Sequence, residues 1–163
     1  MFLTVRRTAI VCALLLAIAT PARADITAFL GTNVTPDNRP TRGFALGITV
    51  IIVGFEFEYS NTSDSTNPAT LAPSLKTGTA NLLLQTPVAI AGFQPYFTTG
   101  AGIYSETLGA HSDTSFSLNT GGGVKINLVG PLRLRVDYRV FKLGSGALYS
   151  PAHRIYAGLN IKL

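Results

Sequence analysis

Residues 131–142 read PLRLRVDYRVFK. Leu132, Leu134, Val136, Tyr138 and Val140 share one parity, and Arg133, Arg135, Asp137 and Arg139 share the other. Successive side chains of a strand point to opposite faces, so this segment predicts a strand with one purely apolar face and one purely charged face. Residues 154–163 repeat the pattern, with Ile155, Ala157, Leu159, Ile161 and Leu163 set against Arg154, Tyr156, Gly158, Asn160 and Lys162. Over 116–128, Phe116, Leu118, Val124, Ile126 and Leu128 oppose Ser117, Asn119, Lys125 and Asn127. Over 53–59, Val53, Phe55, Phe57 and Tyr59 oppose Gly54, Glu56 and Glu58. Weaker alternation places four more strands near 25–31, 42–49, 79–86 and 94–105, bringing the count to eight. An even number with both termini on one side suits a closed up-and-down barrel.

The connections alternate too. Polar stretches follow the odd-numbered strands, at Thr32–Thr41, Ser60–Gly78, Glu106–Asp113 and Leu143–Ala152. The other joints are short, at 50–51, Pro87–Phe93 and Val129–Pro131. Long loops at one end and short turns at the other is the arrangement of outer-membrane barrels, with the loops outside. The first short joint lacks turn chemistry. Ile48-Thr49-Val50-Ile51-Ile52-Val53 has no Gly, Pro, Asn or Asp, and β-branched residues resist the positive φ of tight hairpin turns.

The amino-terminal segment has the features of an export signal. Arg6 and Arg7 precede the apolar run Thr8 to Ala19, and Ala22-Arg23-Ala24 puts small residues at the two positions a signal peptidase reads. The run is shorter than the roughly 20 residues of a spanning helix. A cleaved leader over 1–24 and a barrel domain over 25–163 are therefore expected. Cleavage removes Cys12 and three of the thirteen basic residues, leaving ten against eight acidic ones and a net charge of about +2 instead of +5. That balance gives no argument for nucleic acid. Charged residues make up only 13% of the chain, about half the ~25% usual in soluble domains, and mean hydropathy is +0.33. An apolar excess without a helix-length apolar run after the leader points to a barrel whose outer face meets lipid, or to a water-soluble exported β-domain.

The segments Thr41–Ser60 (TRGFALGITVIIVGFEFEYS), Gln94–Tyr104 (QPYFTTGAGIY), Gly121–Asn127 (GGGVKIN), Leu132–Lys142 (LRLRVDYRVFK) and Ile155–Leu163 (IYAGLNIKL) resemble the outer-membrane β-barrel domain family, the small eight-stranded barrels of the OmpA and OmpX type. The resemblance covers most of the chain beyond the leader and rests on alternation and glycine placement. It implies an all-β, eight-stranded antiparallel transmembrane barrel in an outer membrane, contact with its lipid, and handling by the barrel assembly machinery through the last strand. That strand ends in Leu163, where the family usually has an aromatic residue.

With the apolar parity toward lipid, Glu56, Glu58, Lys125, Arg133, Arg135, Asp137, Arg139, Arg154 and Lys162 point into the lumen. The third and seventh of eight strands lie diametrically opposite, and a barrel of this size is only wide enough for side chains to fill. A lumen network pairing Glu56 and Glu58 with Arg133, Arg135 and Arg139 is therefore expected to occlude the interior.

Little in the chain reads as catalysis. The histidines are His111 and His153, both in or beside loops. His111-Ser112-Asp113 holds the residue types of a triad, but triads form by convergence in space and seldom between neighbours in sequence. Gly121-Gly122-Gly123 lacks the Lys-Ser/Thr and the helix of a phosphate loop and is expected to permit strand curvature or close side-chain approach. No cofactor or metal site is expected. The sequence thus favours a non-enzymatic structural or surface-interaction barrel over a narrow pore or small-ligand binder, and both over a lipid-modifying enzyme. It names no loop partner.

Overall fold

The computed structural model describes residues 23–163. The leader expected over 1–24 lies outside them except for Arg23 and Ala24, which open the first strand. The strands are β1 (Arg23–Asn33), β2 (Arg39–Val50), β3 (Val53–Thr62), β4 (Ser74–Gln85), β5 (Phe93–Leu108), β6 (His111–Asn127), β7 (Leu132–Leu143) and β8 (Ala152–Lys162). Each pairs antiparallel with the next, and β8 pairs with β1 to close the barrel. Following hydrogen-bonded partners once round, from Val50 through Val53, Leu84, Phe97, Gly122, Tyr138, Ile155 and Thr32, returns to β2 at Pro40, a stagger of ten residues (position 50 to position 40). Barrels with staggers of this kind tilt their strands by about 40°.

The alternation lands as the sequence predicts. Val136 and Tyr138 are exposed on the outside, while Arg133, Arg135, Asp137 and Arg139 are buried inside. Phe55, Phe57, Leu46, Ile48, Leu118 and Ile155 also lie on the outer face. Such a surface has no covering of its own, and only lipid lets a closed sheet display it. The purely charged face expected for β7 holds only as far as Arg139. Phe141 and Leu143 share the arginine parity and are buried with Leu75, Tyr104 and Ala152 in an apolar cluster at the loop end of the interior.

The connection without turn residues is nonetheless a tight turn. Val50 pairs with Val53, and Ile51 and Ile52 form the bend, with Ile51 at φ 57°. An L-residue in the left-handed region costs about 1–2 kcal/mol. Asn or Gly would remove that cost but would place polar backbone and side chain at the lipid-facing rim, where both isoleucines are exposed. The polar stretch Glu106–Asp113 is not a loop. β5 and β6 run through it and turn only at residues 109–110, where Gly109 has φ 57°. Polar composition there reflects a hairpin that rises out of the apolar belt as strand.

The remaining loops are tied to one another. The Arg39 guanidinium donates to the carbonyls of Pro73 and Thr35, the latter at 2.8 Å. Asp37 accepts from the Thr70 hydroxyl at 2.9 Å, and that bond, with the amide of Asn38, holds its carboxyl below the ordinary aspartate range. Tyr149 reaches across to the Leu71 carbonyl at 2.9 Å.

Candidate functional site

β7 carries four charged side chains at every second position, which brings all of them to the inner face. β3 stands opposite with Glu56 and Glu58. Arg135 grips Glu56 with both terminal nitrogens, Nη2 lying 3.1 Å from Oε1. Arg139 lies between the two glutamates, with Nη2 3.5 Å from Glu56 and Nη1 3.1 Å from Glu58. Asp137 accepts from Arg139 at 3.0 Å and from Arg135 at 3.3 Å. From β8, Arg154 bonds Glu58 and donates to the Ser60 hydroxyl at 2.7 Å. These charged groups are all 3% exposed or less, so none can be satisfied by bulk water.

Aromatic residues complete the centre. Tyr96 accepts from Arg135 Nε at 2.8 Å and donates to Asp137. A side chain at Gly123 would put Cβ 2.6 Å from the Tyr96 hydroxyl, so the glycine run admits that ring. Arg154 has one carboxylate, and its guanidinium carbon sits 4.7 Å from the Phe141 ring centre, 5.3 Å from Phe29 and 5.4 Å from Tyr156. Phe29 and Tyr156 stack at 4.0 Å. Ring faces attract cations, and here they surround the one arginine of the central group that meets a single carboxylate.

A second group lies nearer the turn end. Asp25 accepts from Lys125 at 2.7 Å and from Arg133 at 3.3 Å, and Arg133 also donates to Asn160 at 2.7 Å and Gln94 at 3.1 Å. Arg133 thus pairs with Asp25 and not with either glutamate. Lys162 is half-buried at this mouth and joins no ion pair among the described residues. Asp25, Tyr96 and the aromatic shell of Arg154 were not legible as site residues. Asp25 carried a signal in its shared parity with Thr27, but the large apolar Phe29 on the same face and the small Ala28 on the other blur β1.

The residue types of a triad do not converge. His111 turns inward to Glu106, 3.0 Å away, while Ser112 beside it faces out and is exposed. Asp113 accepts from Tyr104, and His153 pairs with the Tyr138 hydroxyl at 2.7 Å on the outer face. Among the described residues no three His, Cys, Asp or Glu side chains are grouped to hold a metal ion.

No family model matches the chain, and no curated protein matches it in sequence. Solved structures do match. The N-terminal β-barrel domain of Pseudomonas aeruginosa OprF superposes with a TM-score of 0.63 at 14% identity, covering 88% of this chain and 100% of that one. Neisserial surface protein A gives 0.61 at 16% identity, covering 87% and 94%. The chain has the fold of a small outer-membrane β-barrel. Yersinia pestis Ail, determined in a phospholipid bilayer nanodisc, matches this barrel with a TM-score of 0.59 at 15% identity, covering 88% of it and 100% of Ail. At such identities what is shared is the fold, and the barrel's inward-facing residues must be read on their own terms.

Proposed function

We propose that this outer-membrane barrel is a non-conducting structural protein that holds a firm loop surface outside the membrane. The observation that carries this reading is the grip of Arg135 on Glu56 across the lumen, inside a lattice drawn from β3, β7 and β8. A packed lumen of this width leaves ions no aqueous path, and the loop ties at Arg39, Asp37 and Tyr149 make the outer end a fixed surface. The refolded protein in a planar bilayer is expected to give no unitary current steps; regular steps from the unmodified chain would make it a pore.

The divergence of His111 and Ser112 supports a non-enzymatic role, and expression of the protein is expected to leave the mass of membrane lipid A unchanged. The export reading is part of the same proposal. N-terminal sequencing of the membrane form should begin at Asp25, and the outward residues of β8 through Leu163 would be the stretch handled by the assembly machinery.

A further inference from the structure

The outer face holds a groove of about 800 Å³ that is not part of the charged interior. Its floor is Ala28 on β1 and Ala157 on β8, small residues where neighbouring positions are large. Phe44 and Leu159 wall it, and both are exposed. At its loop-side end stand Arg42 and Asn61, hydrogen-bonded neighbours across β2 and β3. One strand further along the same row is Lys76 on β4, also turned outward and exposed. Neither Arg42 nor Lys76 is in an ion pair among the described residues.

Depth is set by the next row toward the turns, where Phe44 pairs with Tyr59 at a ring separation of 5.8 Å. Aromatic rows of this kind lie at the boundary between acyl chains and headgroups. Arg42, Asn61 and Lys76 therefore stand at headgroup level, directly above a slot that descends among acyl chains. We infer that this groove is a binding site for one lipid of the loop-side leaflet bearing a phosphomonoester headgroup, its phosphate held by Arg42 and Lys76 with Asn61 between them and an acyl chain lying over Ala28 and Ala157. The inference rests on the lipid-facing reading of the outer surface. Charge selects the headgroup and the missing side-chain volume selects the place: a basic row alone would attract anionic lipid without holding its chain, and a groove alone would accept any chain.

The chain contains no tryptophan, so one introduced indole reports locally. The chain from Asp25 carrying Ile161→Trp, exposed on the same face of β8 just below the groove and outside its lining, is reconstituted in phosphatidylcholine vesicles containing a minor fraction of phosphatidic acid, with bromine on the acyl chains of either the phosphatidic acid or an equal fraction of phosphatidylcholine. One basic side chain at a membrane surface contributes about 1 kcal/mol, or about fivefold in local enrichment. Brominated phosphatidic acid is accordingly expected to quench severalfold more than the matched phosphatidylcholine. Arg42→Gln should remove the excess by releasing the headgroup, and Ala157→Leu should remove it by filling the floor with Arg42 intact. A second probe at Phe116→Trp, on β6 across the barrel, should show no excess. An excess at Phe116 equal to that at Ile161, or one that survives either substitution, overturns the site. If brominated phosphatidylcholine quenches neither probe, the lipid-facing reading itself fails.

Discussion

The centre of the lumen and its turn-side mouth are both built from buried ion pairs, but they differ in how the charges are shared. At the centre, Glu56 and Asp137 each meet Arg135 and Arg139, and Glu58 meets Arg139 and Arg154. At the mouth a single carboxylate, Asp25, serves Lys125 and Arg133, and the amide oxygens of Gln94 and Asn160 each accept one further bond from Arg133. The centre joins opposite walls of the barrel, whereas the mouth ties β1 to β6 and β7 and stands next to water. Buried charge therefore works here in two ways. The shared carboxylates link opposite walls across the cylinder, and the single one gathers two cations at an end.

The sharpest way to break this contrast is to remove Glu56. Glu56→Ala leaves Arg135 with Asp137 alone and makes it share that carboxylate with Arg139, which keeps Glu58; the loss should cost about 3–5 kcal/mol, read as a fall in the urea midpoint of the heat-modifiable gel mobility. Asp25→Ala removes a carboxylate from an equal number of cations, but amide partners and nearby water soften the loss to about 2 kcal/mol. If Asp25→Ala proved as damaging as Glu56→Ala, the distinction between the spanning group and the end group would be wrong. Tyr96→Phe keeps the ring and deletes only the hydroxyl between Arg135 and Asp137, with an expected loss of about 1.5 kcal/mol by the same measurement. Lys162→Met should move the midpoint by less than about 0.5 kcal/mol, since the lysine touches no carboxylate; a larger change would draw it into the mouth group.

Much of this architecture was readable from parity. Leu134 and Arg135 are adjacent, and a strand must send them to opposite sides, so the lipid-facing and lumen sets followed from alternation on β3, β6, β7 and β8. The expectation that β3 would meet β7 needed only the strand count. Parity fails where a face changes character along its length, as at Phe141, which lies in line with the arginines but belongs to the apolar cluster above them. It also fails for partners that are neither charged nor periodic, such as Tyr96, whose role depends on the space left by Gly123 on another strand. The reach of β5 and β6 through Glu106–Asp113 was hidden because polar residues in a strand beyond the lipid belt look like a loop.

The rim formed by Ile51, Ile52, Val88, Ile90, Leu128 and Val129 presents large apolar side chains at the very turns where most proteins place polar ones, with Val129 81% exposed. Lifting that rim out of the bilayer would wet all six at once, and pulling the other end down would drown Arg42, Lys76 and Lys142 in hydrocarbon. The molecule consequently has a fixed waterline. It floats with its loops raised and its turn-side rim level with the opposite face of the same bilayer, so the contacts it offers the two sides of the membrane are unequal by construction.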